Sequence, residues 1–382
     1  MLFYFDFVTW ARLIRLVSLD PDRRRRRRRY AYLLLTIPSR ALVHAVLFFL
    51  DGIVFPRLWH TQVKSPVFII GHARSGTTLA HRLMCEDERF SAFKYYELML
   101  PSLIEKKLVG AFAWLDRVAL RGRLERRLQR WEERTFGPTR HIHAMGLTVP
   151  EEDDLVLYGS CASGFWATRM PTLGDLDFFH IDERPARSRR RLMRFYRECV
   201  RRQLHLNGGN LIHLSKNPTF CGRVESLIET FPDAKIVVLM RNPYETIPSL
   251  LKMLQTSWTL QGRDEALIAE SLRILADQSF DTYEHPLAVL NRHPETLSCV
   301  VDYRDLVGDP ATTMRRVYDE LDLTLPAAVA AQIDASRGQG HETTHRYSLD
   351  EFGLDPQAIH TRLAGLFGQY DWDDEGEPAG VN

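Results

Sequence analysis

A short apolar run at residues 67–70 (VFII) leads directly into a glycine-bearing segment at residues 71–78 (GHARSGTT). The apolar run is typical of a buried strand, and a helical pattern begins near Thr78. A glycine turn between a strand and a helix directs several backbone N–H groups toward one point, where the helix dipole adds partial positive charge. The segment therefore predicts a strand–loop–helix unit that binds an anion.

The order of strand, turn and helix recurs later in the chain. Residues 211–214 and 236–240 are apolar runs of the kind found in buried parallel strands, and residues 297–303 form a weaker one. This alternation predicts an α/β fold with a P-loop-type central parallel sheet flanked by helices. In such a sheet the ligand binds at the carboxyl ends of the strands, where the loops meet.

Two positions decide which chemistry the anion site supports. A nucleotide-cleaving P-loop has a lysine after its second glycine, where this chain has Thr77, and the cation lies inside the loop as Arg74. The strand at 236–240 is followed by Arg241, whereas a magnesium site requires an aspartate there. Both differences disfavour a P-loop kinase or NTPase, which depends on metal-assisted phosphoryl transfer, and we predict that no metal takes part.

The segment 66–84 (PVFIIGHARSGTTLAHRLM) resembles the 5′-phosphosulfate loop of the sulfotransferases that use 3′-phosphoadenosine 5′-phosphosulfate (PAPS). Its R-S-G-T-T form is most similar to the tyrosyl-protein, carbohydrate and bacterial branches of that family. The resemblance implies an enzyme that moves the sulfuryl group of PAPS to a hydroxyl acceptor and releases PAP. It implies that the residues binding the 5′-phosphosulfate are Arg74, Ser75, Gly76, Thr77 and Thr78.

A second segment, residues 234–249, resembles the 3′-phosphate element of the same family, with an apolar strand, an arginine and a later serine. The resemblance, which covers roughly residues 64–305, implies that Arg241 and Ser249 bind the 3′-phosphate. It also implies that Lys216, in a Lys-Asn-Pro setting after a predicted strand, stabilises the leaving phosphate. A scaffold that binds the nucleotide without turnover is a further alternative.

The base that activates the acceptor hydroxyl has three candidates. Glu97 lies 23 residues after Arg74, a distance similar to that of a glutamate in the tyrosyl-protein and bacterial branches. Glu152 belongs to the acidic run at 150–154 (PEEDD), which also suits the start of a helix. His143 belongs to the residue type that titrates near neutral pH. The sequence alone leaves the choice open.

The chain is predicted to comprise three regions. Residues 1–60 form an amphipathic, arginine-rich helical lead-in, residues 61–370 the sulfotransferase domain, and residues 371–382 a polar tail. Within the domain, residues 100–205 are predicted to be a helical insertion on the acceptor side. Its aromatic residues, together with the apolar lead-in, favour a lipid-like alcohol as the acceptor, and a carbohydrate or small phenol is the alternative.

The lead-in contains seven consecutive arginines, Arg23–Arg29, and then a largely apolar stretch at residues 30–55. A proline and three polar or charged residues interrupt the stretch, so we predict no transmembrane span. Two arrangements are compatible with the pattern. The arginines and the apolar stretch contact an anionic membrane surface, or the stretch packs on the domain.

Composition restricts the partners and the compartment. The net charge of +1 provides no global field for a nucleic-acid partner. The five cysteines are dispersed and odd in number, which fits a reducing compartment better than a disulfide framework. The N-terminus lacks the pattern of a secretory signal. We therefore predict a cytoplasmic protein, and the lead-in adds the alternative of a peripheral position on the inner face of the membrane.

Overall fold

A computed structural model of the chain describes residues 3–18, 20, 22–137, 146–171, 174–335 and 348–372. The chain divides into two compact units, each built from three separate segments. Unit 1 comprises Met1–Pro66, Arg89–Ser163 and Pro185–Ser215, and unit 2 comprises Val67–Glu88, Gly164–Arg184 and Lys216–Asn382. The predicted anion-binding segment 71–78 lies in unit 2.

The described residues form the following strands and α-helices in chain order, interspersed with short 3₁₀- and π-helical turns. They are α1 (Phe7–Ser18), α2 (Arg23–Ala31), α3 (Ile37–Val54), β1 (Val67–Gly71), α4 (Thr77–Cys85), β2 (Phe90–Ser91), α5 (Tyr95–Met99), α6 (Leu103–Ala119), α7 (Arg123–Phe136), α8 (Phe165–Arg169) and α9 (Ala186–Leu206). Then follow β3 (Ile212–Lys216), α10 (Val224–Thr230), β4 (Lys235–Met240), α11 (Pro243–Leu260), α12 (Glu265–Arg292), β5 (Ser298–Asp302), α13 (Tyr303–Gly308), α14 (Pro310–Glu320), α15 (Ala327–Ala335), α16 (Pro356–Arg362) and α17 (Ala364–Tyr370).

The parallel strands β1, β4 and β5 form the centre of unit 2. Val67 of β1 lies opposite Lys235 of β4, and Gly71 lies opposite Leu239. On its other edge β4 pairs in parallel with β5. Every residue of β1 and β4 is buried, as expected for strands covered on both faces. Because β1 and β4 are parallel and in register, the loops that follow them emerge side by side.

The remaining two strands extend this sheet. The backbone N–H of Asn217, just after β3, donates to the carbonyl oxygen of Ile69 at 2.9 Å. In unit 1 the short strand β2 pairs in parallel with β3, with Phe90 opposite Ile212. The strand order is β2-β3-β1-β4-β5, which confirms the predicted α/β fold with a central parallel sheet. The predicted runs match β1, β3, β4 and β5, whereas β2, two residues long, has no detectable pattern.

Helices α11 and α12 pack together in unit 2 and fix the start of α11. Their apolar residues recur every three or four positions, so that each helix buries one face. The buried cluster contains Ile247, Leu251, Leu254, Trp258, Ile268, Leu272 and Ala276. At the N-terminus of α11 the side chain of Asn242 accepts a hydrogen bond from the N–H of Tyr244 at 2.9 Å. This cap sets the position of Ser249, two turns into the helix.

The lead-in of unit 1 is helical from Arg23 to Val54, through α2, a π-helical turn and α3. By length and composition alone this stretch could cross a membrane, although 22% of its most apolar window is buried in the protein. One face of α3 packs on the protein, and it comprises Ile37, Ala41, His44, Phe48 and Asp51. Since that face carries an ionisable histidine and a carboxylate, the packing favours a helix that lies on the protein with its other face exposed.

A buried polar network attaches α3 to α6 and α9. One carboxylate oxygen of Asp51 accepts hydrogen bonds from Ser102 Oγ at 2.8 Å and from the N–H of Ile104 at 2.9 Å. The other accepts from the N–H of Leu103 at 2.8 Å and from Arg202 Nε at 2.7 Å. Asp51 and Arg202 are both almost completely buried. The carboxylate therefore accepts hydrogen bonds from the first N–H groups of α6, which have no acceptor within the helix, and it neutralises the buried guanidinium of Arg202.

We predict that Asp51→Ala lowers the free energy of unfolding by about 3 kcal/mol, because it removes a carboxylate partner of the buried Arg202 guanidinium. Equilibrium urea denaturation measures the change. Asp277→Ala is the matched control, since its ion pair with Arg273 is exposed and exposed pairs contribute under about 1 kcal/mol. Equal losses for the two variants would contradict the structural role of the buried network.

Candidate functional site

Two glycines determine the path of the loop between β1 and α4. Gly71 has a φ of 143°, and a Cβ there would lie 2.4 Å from the carbonyl oxygen of Leu239. Gly76 has a φ of 92°, and a Cβ there would lie 2.5 Å from the ring of Tyr303. Side chains larger than hydrogen fit neither position, because both the backbone conformation and the available space exclude them. The loop can therefore approach β4 and Tyr303 closely.

Arg74 is the centre of contacts between the loop and the elements that follow β4. It adopts a φ of 77°, which is uncommon for a residue with a side chain. Its carbonyl oxygen accepts a hydrogen bond from Arg241 Nη1 at 3.1 Å, and its own Nε donates to Ser249 Oγ at 3.2 Å. The structure thus brings the predicted 5′-phosphosulfate loop and both predicted 3′-phosphate residues together in unit 2.

Arg241 has two further contacts that hold its guanidinium in place. It forms an ion pair with Glu245, in the first turn of α11, in which Nε donates to Oε2 at 2.8 Å and Nη2 donates to the same oxygen. Its guanidinium also lies over the ring of Tyr303 at 4.2 Å from the centroid. An anion that bound Arg241 would have to compete with Glu245 for the same N–H groups.

The loop offers hydrogen-bond donors that the protein itself does not use. Ser75 is fully buried, and among the described residues its Oγ has no hydrogen-bond partner. The first N–H groups of α4, which begins at Thr77, have no acceptor within the helix because of helix geometry. The Ser75 hydroxyl and the first N–H groups of α4 can therefore donate hydrogen bonds to a phosphate or sulfate bound at this loop.

His72 contributes no positive charge to this loop at neutral pH. Burial lowers its pKa to about 4. Its Nδ1–H donates to the carbonyl oxygen of Ala73 at 2.6 Å, and its ring stacks on Tyr283. Arg74 is therefore the cation of the loop, as the sequence predicts.

Lys216 lies at the carboxyl end of β3 and is buried. The segment that follows it is attached to β1 and to the loop. Besides the bond from Asn217 to Ile69, the Sγ of Cys221 accepts a hydrogen bond from the N–H of Gly71 at 3.1 Å. Lys216 thus begins a segment that runs along the anion-binding loop in unit 2.

Glu97 lies in the first turn of α5 in unit 1 and is 1% exposed. Its Oε2 accepts a hydrogen bond from the backbone N–H of Lys94 at 3.0 Å, and its Oε1 accepts from the hydroxyl of Tyr96 at 3.2 Å. Burial and the Glu97 carboxylate together raise the pKa of Tyr96 to about 12. Glu97 therefore acts as a helix cap in this structure.

Lys106 on α6 is a buried lysine that the sequence does not reveal, since Glu-Lys-Lys at residues 105–107 is typical of a solvated helix. Burial lowers the pKa of Lys106, and the electrostatic effect of Glu97 opposes that shift. Its Nζ lies 5.3 Å from the centroid of the Phe93 ring and has no hydrogen-bond partner within the described ranges. The surroundings of Glu97 thus include a buried lysine amine in an apolar setting.

The segments that carry Glu97 and Glu152 lie side by side in unit 1. The N–H of Glu151 donates to the carbonyl oxygen of Phe93 at 3.0 Å, and the N–H of Tyr95 donates to that of Val149 at 3.1 Å. The structure therefore brings two of the three predicted bases into one region. His143 lies outside the described residues.

The acidic run around Glu152 is mostly part of the core. Asp153 accepts hydrogen bonds from the hydroxyl of Tyr196 at 2.5 Å and pairs with Nε2 of His213 at 2.8 Å. Asp154 accepts from Ser163 Oγ at 2.7 Å. These partners are buried, so the run anchors the 3₁₀ helix that begins at Asp153. Glu152 is the only half-buried carboxylate among the four described acidic residues of the run.

Two tyrosines that are not among the predicted site residues support the site in unit 2. Tyr303 contacts Gly76 and Arg241, and the hydroxyl of Tyr283 donates to the carbonyl oxygen of Arg241 at 2.8 Å. Tyr303 has a signal in the sequence, because it ends the last apolar run, at the edge where ligands bind. Tyr283 comes from the middle of α12 and has none.

The aromatic residues predicted to line the acceptor pocket differ in burial, and Phe165 among them is half-buried. Trp166, Phe178 and Phe179 are buried. Trp114 and Trp131, on α6 and α7 of unit 1, are exposed instead, at 60% and 48% of their surface.

Known proteins share sequence with this chain. The sequence model of the sulfotransferase family matches residues 66–327. The omega-hydroxy-beta-dihydromenaquinone-9 sulfotransferases Stf3 of Mycobacterium bovis and Mycobacterium tuberculosis are each 26% identical over 338 residues, covering 83% of this chain and 77% of theirs.

Solved structures share the fold. Sulfotransferase STF9 from Mycobacterium avium superposes with a TM-score of 0.74 at 20% identity, covering 97% of this chain and 93% of that one. Sulfotransferase STF1 from Mycobacterium tuberculosis superposes with a TM-score of 0.63 at 23% identity, covering 94% of this chain and 97% of that one.

We predict that Gly76→Ala lowers the free energy of unfolding by about 1–3 kcal/mol, because alanine is strained at a positive φ and its Cβ meets the Tyr303 ring. Thermal unfolding followed by circular dichroism measures the change. Gly110→Ala in α6 is the matched control, since nothing lies within 4 Å of a Cβ there. Helix propensity makes that variant neutral or up to about 1 kcal/mol more stable. A Gly76→Ala protein as stable as the parent would refute the close approach.

Proposed function

This chain belongs to the sulfotransferase family, and we propose that it transfers the sulfuryl group of PAPS to the hydroxyl of a lipid-like alcohol. The observation that carries the proposal is the convergence of Arg74, Arg241 and Ser249 at the ends of β1 and β4. One nucleotide bearing a phosphosulfate and a second phosphate can contact all three only if these residues are neighbours. The unused donors of the loop supply the remaining contacts with the 5′ group.

The roles in donor binding follow from the chemistry of each group. The N-terminus of α4, with Ser75, Gly76, Thr77 and Thr78, donates N–H and O–H groups to the 5′-phosphosulfate. Arg74 adds the positive charge. Arg241 and Ser249 bind the 3′-phosphate, and the planar guanidinium suits bidentate contact with two phosphate oxygens. Thr77 and Arg241, in place of the lysine and aspartate of a nucleotidase, disfavour a kinase or NTPase.

The proposed reaction is a direct in-line transfer. A bond forms between the acceptor oxygen and sulfur while the bond between sulfur and the bridging phosphate oxygen breaks. The hydroxyl proton passes to a carboxylate base, Glu97 in our first assignment, and PAP leaves with its 5′-phosphate dianionic. Lys216 is proposed to stabilise the negative charge that develops on the bridging oxygen. Every atom and proton is accounted for without a metal or a redox step.

The acceptor is proposed from the relatives and from unit 1. The similar Stf3 enzymes are, by name, sulfotransferases of omega-hydroxy-beta-dihydromenaquinone-9, a lipid alcohol. The lead-in of this chain exposes large apolar side chains beside an arginine run, and they include Leu35, Leu42, Val46 and Phe49. An enzyme reaches an acceptor that is confined to a membrane from the membrane surface. We therefore propose that this protein is cytoplasmic and binds the inner face of the membrane through Arg23–Arg29 and α3.

We predict that Arg74→Ala and Arg241→Ala each weaken PAP binding by at least about tenfold, because each removes a cation that contacts a phosphate. Glu245→Gln is expected to tighten binding, since it removes the competitor for Arg241. Titration with PAP, read as a rise in melting temperature, measures these effects. Arg273→Ala, on the exposed surface of α12, is the control.

Lys216→Ala is expected to slow sulfate transfer while PAP affinity stays within a few-fold of the parent. Near-parental PAP affinity in both arginine variants would contradict the donor assignment, and stabilisation by ATP with Mg²⁺ but not by PAP would favour the nucleotidase alternative.

We predict that Glu97→Gln lowers the turnover number by about 10²–10⁴-fold, because glutamine cannot accept the hydroxyl proton. The amide can still accept the hydrogen bond from Lys94 N–H, so the cap of α5 and the melting temperature should be retained. Sulfate transfer to extracted lipids, measured beside PAP affinity, tests this. If Glu97→Gln stays active while Glu152→Gln does not, the base is Glu152.

A further inference from the structure

Helices α6 and α7 form an exposed hairpin in unit 1. Lys106 is the last residue of α6 to be buried before the hairpin leaves the protein, and residues 107–135 are exposed except for Asp116 and two half-buried positions. The two helices pack on each other. The carboxylate of Asp116 accepts hydrogen bonds from the N–H groups of Leu124 and Glu125, both at 2.9 Å, and so fixes the turn between the helices.

The exposed part of α6 is apolar around most of its circumference. Its exposed large apolar residues are Leu108, Val109, Phe112, Trp114, Leu115 and Val118. Phe112, Trp114 and Val118 keep 60% or more of their surface in contact with solvent. A helix that is apolar on all sides is normally buried in a protein core or a membrane. Water is therefore an unfavourable surrounding for this helix.

Helix α7 combines an apolar stripe with an arginine-rich face. Leu124, Leu128 and Trp131 recur at four- and three-residue spacing and are each 48% exposed. The other faces carry most of the charge, and the whole hairpin from 103 to 136 contains nine lysines and arginines against five acidic residues. This combination of an apolar stripe and excess positive charge is typical of helices that lie in an anionic lipid surface.

We propose that the α6–α7 hairpin inserts its apolar side chains into an anionic lipid bilayer, as a docking element separate from the arginine run Arg23–Arg29. This inference rests on the proposed function, in which the acceptor resides in a membrane. The occupant follows from charge, because a second copy of the chain would present the same positive hairpin, whereas anionic headgroups complement it. Asp51 connects α3 to the first turn of α6, so both docking elements are anchored in unit 1.

The test is flotation of the purified full-length chain with phosphatidylcholine vesicles that do or do not contain phosphatidylglycerol. Trp114→Ser combined with Trp131→Ser is expected to lower the partition coefficient for the anionic vesicles by about tenfold or more, because two large exposed side chains no longer enter the lipid. Leu260→Ser is the matched control, since Leu260 is 84% exposed in unit 2. It is expected to bind as the parent does.

A second readout uses conservative variants that keep an aromatic ring at both positions. Vesicles with brominated acyl chains are expected to quench the tryptophan fluorescence of the parent more than that of Trp114→Phe combined with Trp131→Phe. The inference would be overturned if the serine variant partitioned as the parent does, or if parent and phenylalanine variant were quenched equally. It would also be overturned if the parent bound equally well to vesicles without phosphatidylglycerol, or if the hairpin caused the chain to dimerise in solution. PAP titration of the same variants is expected to be parental, so a failure here is distinct from a failure of the proposed reaction.

Discussion

The guanidinium of Arg241 donates a hydrogen bond to the carbonyl oxygen of Arg74, and this bond joins the two loops on which the proposed donor site depends. It can form because β1 and β4 are adjacent parallel strands in register, so that their carboxyl ends coincide. Gly71 and Gly76 allow the intervening loop to approach β4 and Tyr303 more closely than any side chain would permit. The contact also supports the left-handed conformation of Arg74, which places its side chain beside Ser249.

Unit 1 has a different physical character. Its interior contains buried ions and polar groups that hold helices together, with Asp51 and Arg202 between α3, α6 and α9, and Asp153 beside His213. Its outer face exposes apolar side chains on α3, α6 and α7. Unit 1 thus adds exposed apolar side chains to an apolar core that also contains paired charges, and exposed apolar groups in such number are uncommon in a water-soluble domain. That arrangement is what an enzyme needs if its acceptor resides in lipid and its donor in water.

The carboxylates near the proposed acceptor show why the choice of base depends on structure. Glu97 is buried as the cap of α5 and has the buried amine of Lys106 in its surroundings, while Glu152 keeps part of its surface exposed at the edge of an otherwise buried acidic run. The partial exposure of Glu152 eases access of the acceptor, whereas the burial of Glu97 restricts it. The segments carrying the two residues lie next to each other, so both remain compatible with one acceptor position in unit 1.

The sequence by itself determined the α/β class, four of the five strands and the family, because apolar runs, glycine spacing and the Arg74–Thr78 loop are local patterns with few physical solutions. It also indicated Arg241 and Ser249, since they follow a buried strand. Only the tertiary structure decided that Tyr283 and Tyr303 support the loop, that Lys106 is buried near Glu97, and that Trp114 and Trp131 are exposed. Those properties depend on which distant segments pack together. A helical pattern reports the side chains of a helix but not whether protein or solvent covers them.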